Sequence, residues 1–314
     1  MEPVMKCHVD FLTIKSGKRN DPQNEITAAF LALKEAIQKS PHTYVENSDE
    51  AEVVFVFGSI TQRKLDTERA QRIVKHRLAG KKILALDTGL FSTYIRNGIN
   101  RNETGFFRIG LGDVTGEGNF LNENSTNERY EWFKETFKFK ERQPSADHNK
   151  PILFILQSER GWQYDNQEPF FKWAQDTVDR IRSITSRRII LRAHPNIDRN
   201  PTEWIARRHA NIGITHGDRS RRTVIDAIRE SSAVVTHSSS AAVESIVEGI
   251  PTFALDKRCV AWEACSGDLT GLIHAEDFDW SKREQILNNW AMTSWNVEEL
   301  KNPNLIEYYM EKIK

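Results

Sequence analysis

The most chemically loaded stretch of this sequence is His237-Ser238-Ser239-Ser240, a histidine followed by three hydroxyls. It stands between an apolar run, Ala233-Val234-Val235-Thr236, and a helix-compatible run that opens at Ala241 and is closed by Gly249. The first turn of a helix carries backbone N–H groups with no intrahelical partner, together with the positive end of the macrodipole, so it attracts phosphate oxygens. Ser238, Ser239 and Ser240 would add hydroxyl donors without bulk, and Glu244, about one turn into the helix, is placed to reach a ribose diol. A plain serine N-cap needs one hydroxyl and leaves the other two unexplained.

Two more polar clusters close apolar runs in the same half of the chain. Arg192-Ala193-His194-Pro195 ends the run 188–192, and Gln157-Ser158-Glu159-Arg160-Gly161 ends the run 152–157. Ligands of open α/β sheets collect outside the carboxyl ends of the strands. Gln157, Arg160, Arg192, His194, His237, Ser238, Ser239, Ser240 and Glu244 are therefore the expected ligand-binding set of this half. An ordinary strand-to-helix loop at Arg160 and a capped or surface histidine at His194 are the plainer alternatives. In the first half, Gly58-Ser59 and Asp87-Thr88-Gly89 also end apolar runs. A carboxylate beside glycine at a strand end suits a general base that deprotonates an acceptor hydroxyl, which makes Asp87 the candidate and Asp113 the second choice. A helix N-cap is the alternative for Asp87. Arginines gather at 180, 182, 187 and 188 and again at 207, 208, 219, 221 and 222, interleaved with Trp162, Tyr164 and Trp204. Solvated helix faces explain such runs, and so does a nucleic-acid groove with stacking aromatics. Ser59, Asp113, Arg207 and Arg208 are accordingly the expected acceptor or nucleic-acid contacts.

The elements that must position these residues alternate in type. Residues 53–57 are wholly apolar, as in a strand buried on both faces, and 82–86 repeat the pattern. Helical spacing over 24–39 and 67–78 separates the apolar runs, which predicts right-handed crossovers and a parallel sheet. A strand over 106–109, a long glycine-rich loop to 124 and a helix over 127–137 follow. The polar, proline-bearing stretch 142–150 is the best domain boundary. Beyond it the pattern restarts, with strands at 152–157, 188–192, 233–236 and 252–256 and helices at 169–184 and 241–248; from Trp280 the chain reads as helical. The expected architecture is α/β with two Rossmann-like domains and a cleft between them. Residues 1–145 form an acceptor domain and 151–275 a donor domain, while C-terminal helices over 276–314 pack back on the first domain.

With 314 residues the chain has length for two ordinary domains, and its 44 basic and 44 acidic side chains leave no net charge. It is no polycation, so any nucleic-acid contact must come from a local patch. Three cysteines, Cys7, Cys259 and Cys265, fit neither a disulfide framework nor a zinc site. No apolar run is long enough to span a bilayer, and the start Met1-Glu2-Pro3-Val4-Met5-Lys6 lacks a signal-peptide core, so a cytoplasmic protein is expected.

His194-Pro195, Ser238-Ser239-Ser240 with Glu244, and Glu248-Gly249-Ile250-Pro251 together resemble the donor-binding half of GT-B glycosyltransferases. The nearest likeness is to capsule sugar transferases, polyglycerophosphate transferases and glycosyltransferases of bacteriophages, and it covers about residues 152–256. The resemblance implies that the serine run and the histidine bind the diphosphate of a nucleotide sugar, with the glutamate near the ribose. It also implies closing helices that return to the first domain. It implies sugar transfer without a cofactor, from a UDP-linked donor to a hydroxyl acceptor, and since no paired acidic DxD-type motif is convincing, the helix dipole and cationic side chains are expected to take the place of a metal. The favoured acceptor is a 5-hydroxymethylpyrimidine in double-stranded phage DNA, in which case the protein works in the host cytoplasm. A polysaccharide or glycerophosphate acceptor is the alternative, and a non-catalytic nucleotide-binding protein the second. The acceptor half carries no transferable motif for the base.

Overall fold

The computed structural model describes residues 4–15, 17, 21, 24–60, 65–96, 105–158, 164, 168–194, 199–216 and 223–314. The chain forms two compact units, one of Met1–Phe139 with Asn288–Lys314 and the other of Lys140–Leu287. The first unit contains β1 (Lys6–Val9), α1 (Glu25–Lys39), β2 (Thr43–Tyr44), β3 (Val53–Phe57), α2 (Glu68–Leu78), β4 (Lys82–Thr88), α3 (Ser92–Arg96), β5 (Phe106–Leu111) and α4 (Glu128–Phe137). The second contains β6 (Ile152–Ile155), α5 (Phe170–Ile184), β7 (Ile189–Ala193), α6 (Arg199–Arg208), β8 (Ile212–His216), α7 (Val224–Arg229), β9 (Ala233–Thr236), α8 (Ala241–Val247) and β10 (Thr252–Ala254). Helix α9 (Arg283–Met292) carries the chain back, and β11 (Ser294–Asn296) and α10 (Pro303–Lys312) belong to the first unit. Both units are Rossmann-like.

In the first unit the described strands make a six-stranded sheet in the order β11-β5-β4-β3-β1-β2. Strands β1 to β4 pair in parallel, as strand–helix–strand links require. All five residues of β3 are buried. Val54 and Val56 pack with Ile83, Ala85, Val114 and Ile73 of α2, and the alternation of a strand sends Val53 and Phe55 to the other face. Asn24 caps α1 by accepting from the Ile26 N–H at 3.2 Å, and Thr67 caps α2 by accepting from Ala70 at 3.3 Å. The parallel rhythm stops at β5, which is antiparallel to β4 and to β11. The segment after Trp280 is not helical throughout, because β11 interrupts it to complete the sheet edge. Arg129 of α4 holds that return. Its guanidinium donates to the Ala291 carbonyl at 3.0 Å, pairs with Glu299 at 2.8 Å and lies 4.4 Å from the Trp295 ring.

The second unit has a five-stranded, wholly parallel sheet among the described residues, ordered β10-β9-β6-β7-β8. From β6 the chain winds outward through β7 to β8, then crosses back to β9 on the other side of β6. Helix α5 packs Phe170, Trp173, Val178 and Ile181 on one face, against Ile152, Phe154 and Leu191. On the other face Ala227 and Ile228 of α7 and Ala241 of α8 meet Leu153, Ile155 and Val234. The proline-bearing stretch expected to be a linker is pinned to this unit instead. Arg142 N–H donates to the Val247 carbonyl at 3.1 Å and Ser145 N–H to Gly249 at 2.8 Å. Arg283 clamps the same place, donating to the carbonyls of Ile246 at 2.9 Å and Arg142 at 2.8 Å and pairing with Glu141 at 3.0 Å. Gly249 has φ +67°, and a Cβ there would lie 2.6 Å from the Gln143 carbonyl oxygen. These bonds move the boundary from the expected 145–151 to Phe139/Lys140, and Arg283 keeps 276–287 in the second unit rather than the first. No described helix is long and apolar enough to cross a membrane.

Candidate functional site

In a doubly wound sheet the loops leaving two adjacent strands diverge where the winding reverses, and that opening is the crevice in which ligands sit. In the second unit the reversal falls between β6 and β9, and the loops leaving them begin with Leu156-Gln157 and His237-Ser238. Gln157 ties the two strand ends together. Its side-chain oxygen accepts from the Ser238 N–H at 2.9 Å, and its amide nitrogen donates to the Ser238 hydroxyl at 3.1 Å. Thr236 adds a bond from its hydroxyl to the Ile155 carbonyl at 3.1 Å.

The three serines have separate roles. Ser238 is 0% exposed, so its hydroxyl is internal. Ser239 is half-buried and its hydroxyl accepts from the Ala241 N–H at 3.2 Å. Ser240 is exposed at the start of α8, where its side chain makes no capping bond. Glu244 is buried one turn into α8, where the helix dipole favours a carboxylate. His237 points into the α5 side of the core, with its ring 4.9 Å from Tyr164 and 5.0 Å from Trp173. Its Nδ1 lies 3.1 Å from the Ser238 hydroxyl and its Nε2 3.6 Å from Asp256. Burial lowers the His237 pKa, with Arg258 adding to the effect and Asp256 opposing it. Of the expected donor residues, Gln157, Ser238 and His237 thus brace the turn from beneath, while Ser239 and Ser240 form its outer side.

Strand β7 pairs with β6 on the edge opposite β9. Arg192 is buried and shares its sheet face with Ile190, which packs on the α7 and α8 side. His194 follows at the strand end, half-buried, and desolvation lowers its pKa. Arg160 and Pro195 lie outside the described residues.

The first-unit candidates are engaged internally. Asp87 accepts from the Arg108 guanidinium at 2.7 Å, and both side chains are buried. Arg108 also donates to the Val114 carbonyl at 3.0 Å and to the Thr88 carbonyl. Ser59 and Asp113 meet each other, the hydroxyl donating to the carboxylate at 2.5 Å. The other oxygen of Asp113 accepts the N–H groups of Val114 and Thr115 at 2.7 and 2.8 Å, which closes a tight loop. Gly118 lets that loop form, since a Cβ there would lie 2.1 Å from the Asp113 carbonyl oxygen. On α6, Arg207 lies 3.5 Å from Glu203 and Arg208 stacks 3.6 Å above Trp204, which is 46% exposed. Both arginines are therefore surface side chains with partners on their own helix.

One cluster has no counterpart among the expected residues. Asp10, just past β1, accepts from the Nε of Arg72 at 2.8 and 3.0 Å and lies 2.8 Å from the Nε2 of His76. Arg69, one turn before Arg72, donates to the Thr13 carbonyl at 2.9 Å and lies 5.4 Å from the Phe57 ring. The sequence did carry a signal, because 69, 72 and 76 have the spacing of one helix face.

No protein-family model and no curated protein matches the chain. Among solved structures it is similar to the beta Kdo 2,4 transferase of Thermosulfurimonas dismutans KpsC, at 11% identity over 93% of this chain and 91% of that one, with a TM-score of 0.49. It is similar to the beta Kdo 2,7 transferase of the same KpsC at 12% identity over 96% and 99%, with a TM-score of 0.47. The UDP-GlcNAc 2-epimerase of Methanocaldococcus jannaschii aligns at 12% identity over 98% and 100%, with a TM-score of 0.35.

Proposed function

We propose that the protein transfers a sugar from a nucleotide-diphosphate donor to a hydroxyl acceptor, with the second unit holding the donor. The observation that carries this is the β6/β9 crevice, where the Gln157–Ser238 lock holds the turn that leads through Ser239 and Ser240 into α8, with the strand end that leads to His194 on the other side of β6. Such a crevice suits a diphosphate. In the reaction the acceptor oxygen bonds to the anomeric carbon, the bond from that carbon to the diphosphate oxygen breaks, and the acceptor proton leaves to a base or to water. The leaving diphosphate gains negative charge in the transition state, so donors fixed in advance around it lower the barrier without reorganising. Ser239, Ser240, Arg192 and His194 are assigned that role, and no metal ion is required by it. Asp87 is assigned to structure rather than to proton transfer, since its carboxylate is paired with Arg108 inside the unit.

The test is to incubate the protein with a panel of nucleotide sugars, UDP-linked ones first, and to follow release of the nucleoside diphosphate. Duplex DNA with 5-hydroxymethylpyrimidines and capsule-type oligosaccharides serve as acceptors, with products read by mass spectrometry. Acceptor-dependent release that His194→Ala slows and Gln157→Leu weakens through KM supports the assignment, and the product identifies the acceptor. Donor binding with no turnover on any acceptor would leave a nucleotide-binding protein. If no nucleotide sugar binds, the assignment is wrong.

A further inference from the structure

The first unit has a reversal of its own. From β1 the chain goes to β2 on one side, then returns to β3 and β4 on the other, so the loops leaving β1 and β3 diverge. The Asp10 cluster stands at this point. Asp10 is 1% exposed; its own N–H donates to the Phe55 carbonyl of β3 at 2.9 Å, and its carboxylate accepts from the Leu12 N–H at 3.1 Å. Thr13 completes the frame, its hydroxyl donating to the Asp10 carbonyl at 2.7 Å and accepting from the Phe57 N–H at 2.9 Å. A carboxylate this well fixed is a rigid mount for what it binds.

What it binds is Arg72, through Nε alone. No described residue bonds either Nη of Arg72, and the side chain is 28% exposed. The end-on fork of a guanidinium, two N–H groups side by side, matches a carboxylate or a phosphate in two parallel bonds. Arg69 stands on the same face of α2, with its Nε fixed on the Thr13 carbonyl.

We infer that the fork of Arg72, supported by Arg69, binds an anionic group at the β1/β3 reversal of the first unit, and that the acceptor is a hydroxyl compound bearing a carboxylate or a phosphate. The acceptor half of that statement rests on the glycosyl-transfer reading, whereas the anion site stands on the first unit alone. A structural ion pair would need only Nε, and among the described residues the Nη fork of Arg72 is not used by it.

The full chain is saturated with UDP, to fill any phosphate site in the second unit, and then titrated by calorimetry with inorganic phosphate and separately with D-glucuronate. Saturable binding of either probe is expected, and Arg72→Lys, which keeps the charge and loses the fork, should weaken it about tenfold or more. Arg69→Gln should weaken it as well. That variant leaves the Asp10–Arg72 pair intact and decides the matter should Arg72→Lys fail to fold. Binding of phosphate alone points to a phosphorylated acceptor and of glucuronate alone to a sugar acid. If neither probe binds, or if both variants bind as the wild type does, the inference is overturned. A wild type that does not bind UDP removes the donor assignment, and the same titrations without UDP still read the Arg72 site through its own variants.

Discussion

Replacing Arg108 by methionine should be among the most damaging single substitutions in the first unit. The Arg108–Asp87 contact is 2.7 Å, and the two side chains are only 5% and 8% exposed. Methionine nearly fills the space but leaves the Asp87 carboxylate in place without its cation, and it strips the Val114 and Thr88 carbonyls of their donor. Removing one partner of a buried pair costs about 3 to 5 kcal/mol, because the remaining charge keeps its desolvation penalty. For a unit of this size each kcal/mol moves Tm by about 2 to 4 °C, which gives a fall of at least about 6 °C in the transition of the first unit by scanning calorimetry. The double variant Arg108→Met/Asp87→Leu should recover more than half of the loss, since a well-packed apolar pair needs no charge compensation. Two results would refute this reasoning. One is a single-variant loss below about 1 kcal/mol, the value of an exposed pair. The other is a double variant that loses the sum of the two single losses, which would mean that the charges do not interact.

Gly118→Ala should lower the urea midpoint by the equivalent of about 1 to 3 kcal/mol, because its Cβ would lie 2.1 Å from a backbone oxygen; an unchanged midpoint would show that the Asp113 loop can open. Burial pushes the Asp10 carboxyl up, but hydrogen bonds from His76 and Arg72 outweigh it and hold the pKa below the usual range. Its stabilisation is therefore complete above about pH 4 and is lost as pH falls through the lowered value, so acid unfolding of Asp10→Asn should start from a less stable protein and show a shallower pH slope. Desolvation lowers the His194 pKa, and a bound diphosphate would raise it again. UDP binding should then take up a proton and strengthen as pH falls toward about 6, with both effects absent in His194→Gln; calorimetry in buffers of different ionisation enthalpy reads the proton.

The elements that could be read from the sequence are those with one dominant physical signal. The run Val53–Phe57 is a strand to the residue, and the helices predicted over 24–39 and 67–78 differ from α1 and α2 only by their capping residues. Short elements held by tertiary contacts could not be read this way. Strand β1 has four residues and β11 has three, and β11 is a strand only because β5 offers it an edge and Arg129 holds it there. At the β6/β9 crevice the strand ends were legible and the orientations of the side chains there were not. Nothing local says that Ser238 turns inward to Gln157 while Ser240 turns outward, because that depends on β6, which precedes them by about eighty residues. The same limit hid Asp10, whose partners Arg72 and His76 come from a different helix.

The division of the chain also sets the order of its synthesis. The second unit is one continuous stretch, Lys140–Leu287, while the first is completed by Asn288–Lys314. At common rates of translation, roughly 10 to 40 s separate the emergence of β5 from that of β11. During that interval the outer edge of β5 has unpaired backbone groups, and Arg129 waits for Glu299 and the carbonyl of Ala291. The nascent first unit thus shows a sticky strand edge to the cell throughout the synthesis of the second unit. A ribosome stalled before β11 would hold a chain with one finished unit and one that invites aggregation, so the demand for chaperones falls on the half of the protein that is made first.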